Sequence, residues 1–321
     1  MSTLFFALAF LIVALLVYMG RYSGRVRAEQ TRFIAVPPET VYACVADLAR
    51  WQAWNPWLEH ARGATPQVDG VVLAWDVPQV GRGEVRRTGQ TPPQALRQQL
   101  KFDLPFTFRG RSEWRFEPAP GGTKVTWRFK GRVAFTLRAF AATVQGATVL
   151  DLRFGLDGLA HLLEGGAPAY TLDYRGVHEQ PPVRLAQAAH KGALDKLAAE
   201  LPPRIAELRA QLGATGPAIV HYLKTQLKLR TVDCRIGFEV PTDTATVPDG
   251  LMLHAQPGHS AYVLRFEGPP EALELAWYQA MQRLRVEQLQ PHPQLPPSAV
   301  YLGESAPGQR GLVELQLPLK P

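Results

Sequence analysis

Rings recur at every second residue along two neighbouring stretches of this 321-residue sequence, and that period fixes what chemistry their shared face can do. In residues 106–117 ("FTFRGRSEWRFE"), Phe106, Phe108, Gly110, Ser112, Trp114 and Phe116 fall on one face of a strand. Thr107, Arg109, Arg111, Glu113, Arg115 and Glu117 fall on the other. The next stretch repeats the rule, with Val125, Trp127, Phe129, Gly131, Val133 and Phe135 set against Thr126, Arg128, Lys130 and Arg132. Trp75 and Phe102 extend the ring face, while Asp76 and Asp103 alternate away from it. Trp51, Trp54 and Trp57 add rings at a spacing of three. No ionisable side chain falls on the inward positions, and Ser112 is the lone polar group noted there, so the face offers apolar contact rather than proton transfer. So many rings on one curved face exceed what a small solid core needs, which points to a cavity.

Motifs for other chemistries are incomplete. "GHSAY" at 258–262 lacks the last Gly of a nucleophile elbow, and "GRGEVR" at 81–86 has neither the helix nor the Lys of a phosphate loop. Cys44 and Cys234 are the only cysteines, with no CxxC and no Cys/His cluster, so neither a disulfide scaffold nor a zinc site is encoded. No metal and no cofactor is expected.

The elements that must hold the rings are a strand at 26–36, two short helices after Pro37-Pro38, alternating strands with a hairpin turn at "PAPGG" (118–122), and a helix at 151–164. That last helix carries the stripe Leu152, Leu156, Leu159 and Leu163. Gly110 and Gly131 interrupt the ring face near mid-strand, where a strongly bent sheet needs a residue without a side chain. This order, with the stretch "IAVPPETVYACVADLARWQAWNPW", resembles the polyketide cyclase/START-like (SRPBCC, helix-grip) superfamily. The resemblance implies a deep apolar cavity between sheet and helix that binds lipids, polyketides or other hydrophobic molecules. Its candidate walls are Trp51, Trp54, Trp57, Trp75, Phe102, Phe108, Trp114, Trp127 and Phe129.

The later half of the chain repeats itself. Gly192, Tyr222 and Pro241 are echoed 76 to 79 residues on by Gly268, Tyr301 and Pro318, each set enclosing an apolar segment, a helix, a Pro-led run and a closing strand. Two such units paired about a twofold leave a groove between their helices and sheet. The strand-Gly-helix units, the "HYL" and "VYL" segments and "VELQLPL" resemble the GyrI-like effector-binding domain. That resemblance implies an aromatic groove with a carboxylate at its base, suited to lipophilic cations. By position the carboxylate is Glu314, and Tyr222, Tyr262, Trp277 and Tyr301 would supply the rings. His221 is a further polar neighbour. Some members of that family hydrolyse small electrophiles with a Glu and a Tyr, a role open here to Glu314 with Tyr301 or Tyr222.

Leu4 to Met19 is an uninterrupted apolar run followed by Arg21, Arg25 and Arg27, the pattern of an uncleaved single-pass anchor with its C-terminal side in the cytoplasm. The formal charge of +7 is uneven: +5 lies on residues 31–165 and none on 166–321, which suits the first domain to an anionic leaflet. No helix-turn-helix, zinc module or RNP motif supports nucleic-acid binding. The expected fold is α+β: a transmembrane helix in 1–24, a helix-grip antiparallel sheet domain over 25–166, and a duplicated strand-helix GyrI-like domain over 167–321. The expected function is inner-membrane-anchored binding or sensing of hydrophobic or cationic amphiphilic small molecules through two cavities. The alternative is an enzyme, a cyclase or hydratase in the first cavity or a Glu/Tyr-dependent hydrolase in the second.

Overall fold

The structure is a computed structural model. It describes the chain except residues 1–5, 7–9, 11, 12, 15, 16, 19, 22, 59–65, 78–80, 104–106, 227, 228 and 304–309. Most of the apolar run at 4–19, and so the expected anchor, lies outside the described residues. Among those described, no helix is long and apolar enough to cross a membrane. The chain divides into two compact units, Met1–Ala167 and Pro168–Pro321, each α+β and built on an antiparallel sheet.

In the first unit β1 (Arg25–Ile34) leads into α1 (Pro38–Ala46), whose start is set by Pro37-Pro38 and whose inner side buries Val41, Cys44 and Val45. The expected second helix is only a 3-10 turn, Leu48–Ala53. A spacing of three matches the 3-10 period and not the α period, so Trp51 and Trp54 both reach the core from this short turn. Six strands follow: β2 (Gln67–Asp69), β3 (Val72–Val77), β4 (Gly81–Thr91), β5 (Ala95–Phe102), β6 (Phe108–Ala119) and β7 (Gly122–Val133). They form a seven-stranded sheet in the order β1-β7-β6-β5-β4-β3-β2. Between β6 and β7 the turn uses Gly121 at φ +79°, a conformation that costs glycine nothing. Mid-strand, Gly110 and Gly131 are cross-strand partners. A Cβ on Gly110 would collide with the Phe129 ring, and one on Gly131 would come within 2.9 Å of the Phe108 ring. These glycines therefore let the two rings fold flat onto the sheet.

The long helix α2 (Ala141–Glu164) lies against this ring face through Leu152, Gly155, Leu156, Leu159 and Ala160, the i, i+3, i+4, i+7 pattern of a buried stripe. Gly155 and Gly158 bring it close to the loop after the 3-10 turn: a Cβ at Gly155 would meet Pro56 and Trp127 at 2.8 Å, and one at Gly158 would meet the Trp54 carbonyl at 3.0 Å. Arg32 on β1 pairs with Asp157 on α2.

The second unit contains β8 (Thr171–Gln180), β9 (Val183–Ala193), α3 (Leu197–Leu212), β10 (Ala218–Gln226) and β11 (Thr231–Glu239). The same order then recurs as β12 (Met252–Gln256), β13 (His259–Gly268), α4 (Leu273–Val286), β14 (Ser298–Tyr301) and β15 (Gly311–Pro318). The eight strands line up as β12-β9-β11-β10-β14-β15-β13-β8. The leading strand of each repeat pairs with the other repeat: β8 on β13 and β12 on β9. At the centre β10 pairs with β14, and its partners Val220 and Ala299 stand 79 residues apart, the offset of the repeat. The pseudo-twofold thus passes through that pair. One apolar cluster lies under α3 and a second under α4, and the half-buried Tyr222 and Tyr301 belong to both.

Candidate functional site

The rings selected from the first unit converge. Trp114 and Trp127 stack at 4.1 Å between ring centres and 19° between planes, because their positions are direct cross-strand partners. Trp54 approaches Trp51, Trp114 and Trp127 at 5.3, 5.9 and 6.1 Å. Trp57 contacts Trp127 at 5.6 Å and Phe102 at 5.3 Å. Phe102 continues the series to Trp75 at 5.7 Å and Phe108 at 6.2 Å, and Phe108 meets Phe129 at 5.3 Å. Edge-to-face and offset contacts dominate, as ring quadrupoles favour. The rings thus form one continuous series of contacts, most of it buried. Trp57 and Phe102, both half-buried, lie at the more exposed end.

The polar atoms inside this ring series have a single character. Trp127 Nε1 donates to Ser112 Oγ at 2.7 Å, and Trp114 Nε1 donates to Gln98 Oε1 at 3.0 Å. Gln98 faces inward because its register partner on β6 is Ser112. An indole nitrogen only donates, so Gln98 must turn its oxygen to Trp114, and its amide nitrogen is left without a partner. Asn55 is fixed in the same way: its Oδ1 accepts from the Trp57 backbone N–H at 3.0 Å, and its Nδ2 is left over. Trp54 Nε1 is a third buried donor without an acceptor among the described residues. These side chains are only 4% (Trp54), 0% (Asn55) and 1% (Gln98) exposed. A buried donor left unpaired costs about 1–3 kcal/mol, so each of these groups gains from meeting an acceptor. Asp151 on α2 is the carboxylate that touches the series, accepting from Trp57 Nε1 at 3.2 Å.

In the second unit Tyr222, Trp277 and Tyr301 gather at the seam between the two repeats, with Tyr222 and Trp277 at 5.0 Å edge to face. Burial pushes the Tyr222 phenol up to about 12, with a smaller push from the Cys234 thiol. Burial and then Tyr222 itself push Tyr301 well above the usual phenol value. Both phenols stay protonated, and the polar tips of Tyr222, Tyr301 and Trp277 face one another at this seam. Tyr262 is apart from this seam: it donates to Glu287 Oε1 at 3.1 Å, and burial followed by that carboxylate raises it to about 12.

Glu314 is not at the base of these rings. Tyr301 pairs with Val313, so Glu314, one residue on, points to the opposite face of the sheet. There it meets Arg265 at 3.2 Å and Gln316 at 3.1 Å. The grouping of Glu314 with Tyr222 or Tyr301 is thereby corrected. His221 shares that opposite face with buried Gln187, which lies 2.9 Å from its Nδ1. Burial first, then the neighbouring His254, lowers His221 to about 4. Cys44 and Cys234 are buried free thiols whose pKa is raised by burial, the reverse of what a nucleophile needs. Among the described residues no group of three His, Cys, Asp or Glu side chains could hold a metal ion.

Residues 25–164 match the family model for polyketide cyclase / dehydrase and lipid transport. The match begins on the first residue of β1 and ends on the last of α2. A curated relative, the granaticin polyketide synthase bifunctional cyclase/dehydratase of Streptomyces violaceoruber, is 30% identical over 203 residues. That alignment covers 59% of this chain, which spans 60% of the relative's length. Among solved structures, the C-terminal domain of EcmrR aligns with TM-score 0.38 at 18% identity, over 47% of this chain and 98% of that one. A protein from Mesorhizobium loti aligns with TM-score 0.35 at 17% identity, over 44% and 98%.

Sequence reasoning missed Gln98, Asn55 and Asp151. The alternation of Leu96, Gln98, Leu100 and Phe102 marks Gln98 as inward, so that signal was present. Asn55 lies in a turn with no period to read. Asp151 is at a helix position whose partner across the domain no local pattern reveals.

Proposed function

We propose that this chain binds planar, largely apolar small molecules that carry acceptor oxygens, and that the first unit is the principal receptor. The observation that carries this reading is the set of three buried donors in the first unit, Trp54 Nε1, Asn55 Nδ2 and Gln98 Nε2, that have no acceptor among the described residues. Rings supply dispersion and stacking to a flat guest, and the unspent N–H groups select a guest with oxygens over a hydrocarbon of the same shape. The family match over 25–164, whose description joins polyketide cyclases and lipid transport, points to the same ligand class. The seam of Tyr222, Trp277 and Tyr301 gathers two protonated phenols and an indole N–H among rings, and serves as a second site of the same kind. With Glu314 on the other face, this seam suits uncharged guests better than lipophilic cations. The apolar run at 4–19 tethers both units to the inner membrane on the cytoplasmic side, where apolar guests concentrate.

A second reading is turnover of the bound guest, by dehydration or cyclisation. Its support is Asp151, whose carboxylate reaches Trp57 at the more exposed end of the ring series and could exchange a proton with a guest there. Binding and turnover separate cleanly, because Asp151→Asn would abolish turnover and leave affinity in place.

The binding reading is tested with 9,10-anthraquinone and anthracene, which share a ring skeleton and differ in two carbonyl oxygens. Binding to the full chain in detergent is followed by tryptophan emission. Anthraquinone should bind at least about tenfold more tightly, and Trp54→Phe, which keeps a ring and removes one donor, should narrow that preference about fivefold. Equal affinity for the two compounds would sink the proposal.

A further inference from the structure

The outer face of the first sheet carries a second feature, unrelated to its rings. A groove of about 690 Å³ crosses five strands there, floored by the backbone of Val26, Gly131, Gly110 and Leu100. These four residues are successive cross-strand partners, so they form one row running across the sheet. Their side chains, where they have any, point to the interior, and the outer side of the row is bare.

Cations wall this groove on both sides. One wall is the ladder Arg25, Arg132, Arg109 and Lys101, each the direct cross-strand partner of the next. The other wall is Arg27, Lys130 and Arg111, continued past Gln99 to Arg86. Neighbouring strands lie about 4.8 Å apart, so these like charges stand at close quarters, an arrangement that destabilises a sheet unless something compensates it. Lys101 is compensated by Asp103 at 2.9 Å, Arg86 by Glu84 at 3.0 Å, and Lys130 by Glu113 at 3.8 Å. Arg25, Arg27, Arg109, Arg111 and Arg132 form no ion pair among the described residues. Five exposed guanidinium groups in two facing rows are thus left for an anion from outside the chain.

The position of the groove along the chain indicates where that anion lies. Arg25 opens β1 and is six residues after Met19, the end of the apolar run. Six extended residues span at most about 20 Å. If that run enters a bilayer, the groove is held within reach of its headgroups.

We infer that the outer face of the β1-β7-β6-β5-β4 sheet docks on the anionic phospholipid headgroups of the bilayer, with the guanidinium rows around the groove taking their phosphates. Guanidinium suits this role because its planar fork binds phosphate oxygens in pairs and carries its charge at every accessible pH. Docking in this way turns the ring-bearing face of the sheet away from the lipid. The inference shares with the proposed function only the anchoring of residues 4–19, and the test separates the two.

The full chain carrying Gln99→Cys is labelled with a fluorophore, the native cysteines being buried. It is reconstituted in vesicles containing a headgroup-labelled acceptor lipid. One set is phosphatidylcholine alone and the other contains 30% phosphatidylglycerol. Energy transfer should be higher with phosphatidylglycerol and should fall to the phosphatidylcholine level in 0.5 M salt. The fourfold variant Arg109→Gln, Arg111→Gln, Lys130→Gln and Arg132→Gln should lose the difference, at about fivefold in the docked-to-undocked ratio per cation removed. Equal transfer in both lipids overturns the inference, as does displacement of the face from phosphatidylglycerol by polyuridylate, which would assign the groove to nucleic acid. Alkaline extraction from phosphatidylcholine vesicles reads the anchor independently. A chain that is extracted there but binds phosphatidylglycerol reversibly with salt keeps the docking face and loses the anchor. One that resists extraction yet ignores lipid charge does the opposite.

Discussion

Acid should destabilise the second unit through His221, and the size of the effect follows from burial. The ring is 2% exposed on β10, and its pKa falls to about 4, first through burial and then through His254, with smaller pushes from Arg235 and His259. Because this folded value lies below the ordinary value near 6.5, the unfolded chain binds the extra proton between pH 6.5 and 4. Stability is therefore complete above pH 6.5 and is lost as pH falls through that window. The shift corresponds to a loss of roughly 2 kcal/mol by pH 5 and roughly 3 kcal/mol by pH 4. Gln187 can soften the loss. Its amide N–H donates to Nδ1 of the neutral ring at 2.9 Å, and its own oxygen has no partner, so a flip of the amide would meet a new proton on Nδ1. The assay is urea unfolding at pH 7, 5 and 4, read as amide exchange in peptides from β10 and β11 so that the two units are separated. His221→Gln stays neutral at every pH and should flatten the dependence, while exposed carboxylates titrate alike in both proteins. Equal pH slopes for the two proteins would refute the reasoning.

Three further outcomes are expected. Ser112→Ala leaves Trp127 Nε1 without its acceptor and should cost about 1–3 kcal/mol in urea unfolding followed by tryptophan emission; a loss below about 0.5 kcal/mol would contradict the buried bond. Gly110→Ala drives a methyl group into the Phe129 ring and should lower the first unit's stability by about 1–3 kcal/mol, visible as a lower Tm; an unchanged Tm would show that the sheet can relax there. Glu314→Gln breaks a partly exposed ion pair with Arg265, should cost less than about 1 kcal/mol, and should leave affinity for the cationic dye rhodamine 6G unchanged. A large loss of dye affinity would return the carboxylate to a binding site.

Much of the first unit's architecture is written in its period. Alternation alone places Trp114, Trp127 and Phe129 on one face and Arg109, Arg111, Lys130 and Arg132 on the other, and the mid-strand glycines mark where that face must fold. The polar detail inside was not legible. That Trp54 Nε1 has no acceptor while Trp51 Nε1 donates to the Val45 carbonyl at 2.9 Å depends on three-dimensional placement and not on spacing. Likewise the outer cations were visible one strand at a time, but their alignment into facing ladders is set by register, which the hairpin at Gly121 fixes between β6 and β7. In the second unit the 79-residue offset anticipated the twofold at Val220 and Ala299. The exchange of leading strands β8 and β12 left no trace in the pattern. Glu314 was grouped with rings by resemblance, although its alternation with Val313 and Leu315 already put it on the other side of its strand.

The most direct test of the receptor reading is the indole N–H spectrum of the full chain in detergent, with the Trp54 signal assigned by its absence in Trp54→Phe. Addition of 9,10-anthraquinone should move the Trp54 proton downfield as Nε1 gains an acceptor, and anthracene should not. A Trp54 signal that responds to neither compound, or to both alike, would contradict the claim that these rings hold unspent donors for an oxygen-bearing guest.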